Sequence, residues 1–256
     1  MCSLSALLYR AIRWLVRFFY PVMEVTGTEH LPDEPVIYVA NHAKMNGPIA
    51  CELYLPGQHR TWCAGEMMHL KEVPDYAFQD FWAQKPWYSR WLFRLLSYLI
   101  APLSVVVFNN ADTIGVYHDG RILSTFKETV QQLQQGRSIV IFPEHDQPYN
   151  HILSRFQDRF IDVAKLYYKR TGKEVLFVPL YIAPALKTMV LGEGVRFDAQ
   201  RPMDEERRRI CEAMMASITD MACRLPHHRV VTYRNIPKRQ QPCNRPKEST
   251  HEKTCC

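Results

Sequence analysis

Residues 4–20 carry a helical period. At roughly 100° per residue, Arg10, Arg13 and Arg17 fall within an arc of about 60°, with Leu4, Leu8, Ile12, Leu15 and Phe19 on the opposite side. Arginines in mid-segment make a membrane span costly, whereas a helix lying in the lipid interface keeps them among the headgroups. The same pattern also serves a helix that covers a groove of its own domain. Past Pro35 the pattern shortens. The apolar run Val36–Ala40 predicts a buried strand, followed by a turn holding Asn41, His42, Asn46, Gly47 and Pro48 and then a helix to about Leu55. Residues 60–64 predict a second strand. Residues 75–101 are rich in aromatics and predict a helix that Pro102 ends, after which the β-branched 104–108 predict a strand. On that reading the 18-residue apolar stretch 91–108 is a helix, a break and a strand. Arg94 and Pro102 both argue against a membrane span there.

Further on, a helix is predicted over 121–135, stopped by Gly136, then a strand over 138–142. A long helix over 151–171 ends at Gly172, a strand covers 175–182, and 190–197 forms an edge strand. The last helix, 203–225, has Asp204, Glu205 and Glu206 in its first turn, as the helix dipole prefers. Strands spaced by helices predict one α/β domain with a largely parallel sheet flanked by helices and preceded by an N-terminal amphipathic helix. The expected parts are a membrane-associating helix over 1–22, an α/β domain over 23–236 and a disordered basic tail over 237–256.

Composition narrows the class of function. At 256 residues, 47% hydrophobic and 23% charged, the chain can bury a sizeable core, which excludes whole-chain disorder, coiled coil and collagen. Its net charge of +6 is unevenly placed: the arginines of the first 20 residues and the basic tail hold the excess, and the body between them is balanced. Nucleic-acid binders concentrate basic residues on the folded body; charge at the ends fits an anionic membrane surface instead. The eight cysteines are scattered without a C-x-x-C pair and are read as reduced, which points to the cytoplasmic side. Cys255 and Cys256 do not form a prenylation box, and no secretory signal is apparent.

Open α/β sheets gather reactive groups at the carboxyl edge of their strands. Two strand ends here are chemically loaded: Asn41-His42, and Pro143-Glu144-His145-Asp146. A histidine, with an ordinary pKa of about 6.5, suits the removal of a hydroxyl proton near neutral pH. Read blandly, Glu144 caps the next helix, and His145 and Asp146 are loop residues. His42, Glu144, His145 and Asp146 permit a divalent metal, yet no closely spaced ligand motif calls for one, and no metal is assigned.

These blocks resemble the glycerolipid acyltransferase family, which includes the lysophosphatidate acyltransferases. That family places N-H-x-x-x-x-D after a strand, F-P-E-G-x-R-S about a hundred residues later, and a V-P strand beyond it; Asn41-His42, Phe142-Pro143-Glu144 and Val178-Pro179 match in identity, order and spacing. The likeness covers roughly residues 30–200. The chain is a diverged member of that pattern: Gly47 stands where the family has aspartate, and His145, Asp146, Gln147 and Pro148 replace the rest of the second block. Where the family's middle block ends in a phosphate-holding arginine, this chain has Asn109-Asn110, and Arg121 is the substitute cation.

The resemblance implies a membrane-surface O-acyltransferase of phospholipid biosynthesis. It would move a fatty acyl group from acyl-CoA or acyl carrier protein to the hydroxyl of a lysophospholipid or glycerol phosphate, with no cofactor beyond that co-substrate. Carried over residue by residue, His42 is the base and Glu144 positions the acceptor; Asn41, Asn46, Pro143, His145 and Asp146 line the substrate site, with Arg121 at its phosphate. The carboxylate role lost at Gly47 passes to Asn46, Glu144 or Asp146, or goes unfilled. Unfilled, the chain reads as a catalytically lapsed lipid-binding protein on the same scaffold. The implied partners are an anionic membrane surface, an acyl donor and a lysolipid acceptor, without nucleic acid, for a peripheral protein at the cytoplasmic face.

Overall fold

The computed structural model describes residues 4–83, 85–117, 119–233 and 236–245. The chain begins with helix α1 (Leu4–Phe19), strands β1 (Glu24–Thr26) and β2 (Val36–Ala40), helix α2 (Asn46–Tyr54), strand β3 (His59–Ala64), the short helix α3 (Val73–Ala77) and the long helix α4 (Arg90–Asn110). Strand β4 (Thr113–Val116), helix α5 (Ile122–Gln134) and strand β5 (Ser138–Ile141) follow, then a hairpin of β6 (Glu144–Pro148) and β7 (Ser154–Phe156). Helix α6 (Asp162–Thr171), strands β8 (Leu176–Ala183), β9 (Thr188–Leu191) and β10 (Val195–Arg196), and helix α7 (Met203–Arg224) complete the domain. In the main sheet the order is β1-β9-β8-β2-β5-β3-β4, with β10 on β8. Its centre is parallel: Tyr38 of β2 lies opposite Val140 of β5 on one side and Val178 of β8 on the other. β9 runs antiparallel to β8. This is a single α/β domain with a largely parallel sheet, helices on its faces and an N-terminal helix.

Alternation along the strands sets two buried faces. Ile37, Val39, Ile139, Ile141 and Phe177 pack with Leu133 of α5, Val163 of α6 and Ile210 of α7. Val36, Tyr38, Ala40, Val140 and Val178 point the other way, onto Ala50 and Cys51 of α2. Strands covered on both sides need no polar alternation, which is why β2, β5 and β8 stand out as apolar runs.

The structure corrects three expectations. The break at Pro102 and the strand over 104–108 are instead one helix, α4, with Pro102 exposed in its interior. An interior proline removes an intrahelical hydrogen bond at about 3 kcal/mol. Burial of Ser97, Ala101 and Ser104 along one stripe, with Ser104 Oγ donating to the Met67 carbonyl at 2.9 Å, overrides that cost and the β preference of 105–107. The helix over 151–171 begins only at Asp162. Asn150 Oδ1 accepts the N–H groups of Ile152 and Leu153 at 2.8 Å each, a turn that folds the preceding segment into the β6–β7 hairpin. The segment from 237 is ordered through 245. Asn244 is fully buried, donating to the carbonyls of Ala222 and Leu225 and accepting from the His228 N–H. Residues 246–256 of the expected tail lie outside the described residues. Strands β1 and β4 carry no continuous apolar run and were not expected.

Candidate active site

The parallel centre of the sheet brings the carboxyl ends of β2, β3, β4 and β5 to one edge. Asn41, the first residue beyond β2, is buried: its Nδ2 donates to the Ile182 carbonyl at 3.0 Å and its Oδ1 accepts the Ile182 N–H at 2.7 Å. It clamps β2 to β8 with both ends of its amide, a structural role beside the substrate-lining one expected of it. The next residue, His42, is thereby placed. Ala43 and Lys44 then adopt left-handed φ values of 44° and 57°, costly for residues with a Cβ. This turn brings the Lys44 carbonyl to 2.5 Å from His42 Nδ1. A carbonyl only accepts, so Nδ1 carries the proton and the lone pair is on Nε2. The ring sits between Phe142 and Tyr233, with centroids 5.2 and 5.7 Å away. Burial lowers its pKa, which favours the neutral ring.

A main-chain oxygen therefore orients the ring, in place of the side chains the sequence pointed to. Gly47 leaves no room for an aspartate: a Cβ there would lie 2.4 Å from the His42 carbonyl oxygen and 2.9 Å from Phe142 Cε1. Glu144, 5% exposed, accepts the His42 N–H on Oε1 at 2.7 Å and the Ser154 N–H on Oε2 at 2.8 Å. Both its oxygens are held by backbone, so it staples the His42 turn to the hairpin rather than presenting itself to an acceptor. Burial pushes its carboxyl up to about 7, against the two amide bonds that favour the anion. Asn46 is likewise engaged in the turn, its Nδ2 donating to the Ala43 carbonyl at 3.0 Å. His145 Nδ1 accepts the Gln147 N–H at 3.3 Å, and Asp146 is exposed on β6. Arg121 pairs with Asp119 and Glu72 and lies over the Tyr117 ring at 3.9 Å, so two carboxylates already neutralise it.

His42 lines two cavities. One, of about 480 Å³, is apolar and is walled by Ile12 and Val16 of α1, Leu53 of α2 and Val107 and Phe108 of α4. The other, of about 500 Å³, is mixed: Asp119, Glu144, Arg159 and Asp162 line it together with Pro143, Phe126 and Phe160. Asp119 and Asp162 are paired with Arg121 and Arg207. Arg159 is exposed and lines this cavity without an ion pair to a described residue. Asp80, on a π-helical turn over Phe78–Trp82, lines the apolar cavity with His42. Its negative charge favours the protonated ring and so opposes the effect of burial. Such turns recur at functional sites. Asp80, Arg159 and Tyr233 belong to no motif, and only the fold brings them to His42. Among the described residues, no three of His, Cys, Asp and Glu are grouped as a metal site needs.

Neither protein-family models nor the sequences of curated proteins give a match to this chain. Among solved structures, the chain is similar to the crystal structure of the 1-acyl-sn-glycerophosphate (LPA) acyltransferase PlsC from Thermotoga maritima. The two align over 87% of this chain and 83% of that one, at 17% sequence identity and a TM-score of 0.48.

Proposed function

We propose that this protein is an O-acyltransferase at a membrane surface, moving a fatty acyl group from acyl-CoA or acyl carrier protein to the hydroxyl of a lysophospholipid or glycerol phosphate. One observation carries the reading. His42, with Nδ1–H tied to the Lys44 carbonyl, stands where an apolar cavity meets a mixed one that holds Arg159, a cation with no ion pair to a described residue. Both volumes lie in the range of ligand sites. The apolar cavity takes the acyl chain, and Arg159, in place of Arg121, faces the acceptor's phosphate. Nε2 of His42 takes the acceptor's hydroxyl proton as that oxygen attacks the thioester carbonyl. The carbon–sulfur bond breaks, and the departing thiolate takes the proton back, leaving an ester and a thiol. Asp80 supports the imidazolium between those steps. Glu144 holds the His42 backbone and acts as a positioning residue.

The test is to incubate the purified protein with labelled acyl donor and a panel of lysolipids. Labelled product is expected, and His42→Ala lowers its rate by about 10²- to 10⁴-fold, the usual contribution of a general base, with melting unchanged. Full activity in the variant overturns the base assignment. A second reading, a lipid-binding protein without catalysis, is favoured by the backbone partner at His42 Nδ1, which offers less charge stabilisation than a carboxylate. Lysolipid binding with no labelled product from the wild-type chain selects it.

A further inference from the structure

We infer that α4 is a second membrane-docking element, lying in the interface of an anionic bilayer beside α1. The apolar helical segment Trp87–Asn110 has 24 residues, a length of about 36 Å that suffices to cross a membrane. Its contacts argue for a different orientation. Ser97, Ala101 and Ser104 form a small-residue stripe packed on the domain, and α4 runs along α3 and α1. Only 17% of its apolar stretch is buried, and that part holds it along α1 and α3. The opposite side is left to solvent, with Trp87 82% exposed, Trp91 70%, Leu95 51%, Leu99 65% and Leu103 49%. Leu7, Trp14 and Phe18 of α1 are also exposed, so the two packed helices present two apolar strips on adjoining elements. An exposed apolar area of this extent marks an interaction site.

Charge identifies the occupant. No acid occurs in residues 1–20 or 81–111. Arg10, Arg17, Lys85 and Arg90 form no ion pair with a described acid, and Arg90 instead donates to the carbonyls of Lys85 and Ala83. A face that is apolar at its centre, rich in tryptophan and bordered by cations suits anionic headgroups above acyl chains. Two copies of it would repel each other. The apolar cavity lies behind this face, walled by both helices. Its use for acyl chains rests on the proposed function, whereas the docking of α4 does not.

The experiment uses the full chain and sealed vesicles of equal parts phosphatidylglycerol and phosphatidylcholine. Leu95→Gln, Leu99→Gln and Leu103→Gln together, all at exposed positions, are expected to lower partitioning at least tenfold with melting unchanged; unchanged partitioning overturns the inference. A second variant, Leu99→Trp, read as the quenching it adds to that of the wild-type chain with its five native tryptophans, reports depth at the middle of the segment independently of that result. Stronger quenching by lipids brominated near the headgroup supports an in-plane helix. Stronger quenching by lipids brominated near the chain ends means that α4 crosses the bilayer, and no quenching means that its face stays out of lipid; either overturns the inference. Self-association without vesicle binding does so too. None of these readouts involves acyl transfer, so docking and the proposed reaction fail separately.

Discussion

At the scale of single residues, the turn after β2 sets the state of the catalytic candidate. The left-handed backbone at Ala43 and Lys44 delivers a carbonyl to Nδ1, and Gly47 lets the following helix start against the His42 backbone, its N–H donating to the His42 carbonyl at 3.1 Å. Gly47→Asp, which restores the missing carboxylate in sequence, is therefore expected to overpack the turn. A loss of about 1–3 kcal/mol in stability and lower activity should appear in denaturant melts and rate assays. A faster enzyme with unchanged melting would refute this account. Asp80 makes a different prediction. Burial lowers the His42 pKa, while the backbone hydrogen bonds at Lys44 and His42 and, last, the Asp80 charge raise it, so Asp80→Asn removes one upward effect and moves that pKa further down. The acidic limb of kcat/KM should shift to lower pH, and kcat at neutral pH should fall because the imidazolium loses its support. A structural role alone would reduce activity without moving the limb.

At the scale of elements, the arginines of α1 differ in their surroundings. Arg13 Nε donates to Glu52 Oε1 at 2.9 Å and Tyr9 OH donates to the same oxygen at 2.6 Å, so Arg13 and Tyr9 bind the helix to α2. Arg10 and Arg17 are exposed. Arg10→Gln with Arg17→Gln should weaken binding to anionic vesicles about 30-fold at low salt, taking about 1 kcal/mol per cation near the surface. Arg13→Gln should leave vesicle binding nearly unchanged and lower stability by at most about 1 kcal/mol, since the pair is partly exposed. Co-sedimentation of both variants checks this; equal effects would show that α1 does not divide its charges in this way. Removing the whole helix would mix the two roles, because it also strips a wall from the apolar cavity.

At the scale of the molecule, the C-terminal segment returns the chain to the sheet edge at His42. Tyr181 OH donates to His228 Nε2 at 2.8 Å, His228 Nδ1 donates to the Pro226 carbonyl at 2.8 Å, and Asn244 ties the segment to the end of α7. Tyr233, on the same segment, then meets the His42 ring. Asn244→Ala leaves buried carbonyls and the His228 N–H without partners. A loss of about 2 kcal/mol is expected from such orphaned groups, together with lower acyl transfer as Tyr233 loses its place. Equilibrium denaturation alongside the activity assay tests the link. A stability loss with full activity would mean that Tyr233 is dispensable.

Apolar periodicity is written locally, so it already located β2, β5 and β8, helices α1, α5 and α7, and the strand ends bearing His42 and Glu144. Burial on both sheet faces makes each of those strands a legible run, and a strand end is where a parallel sheet exposes reactive groups. Helix α4 was not legible because its continuity across Pro102 depends on a stripe of three small residues meeting the domain. The hairpin depends likewise on Asn150 and on Glu144, whose carboxylate bonds Ser154 ten residues away. The residues around His42 lie further apart still: Asp80, Glu144, Arg159 and Tyr233 come to its strand edge from a π-helical turn, the hairpin, a 3-10 turn and the C-terminal segment. Which nitrogen carries the proton, which carboxylate is consumed by backbone and which cation is unpaired are properties of long-range contacts. Those contacts leave no period in the chain, and tertiary packing alone decides them.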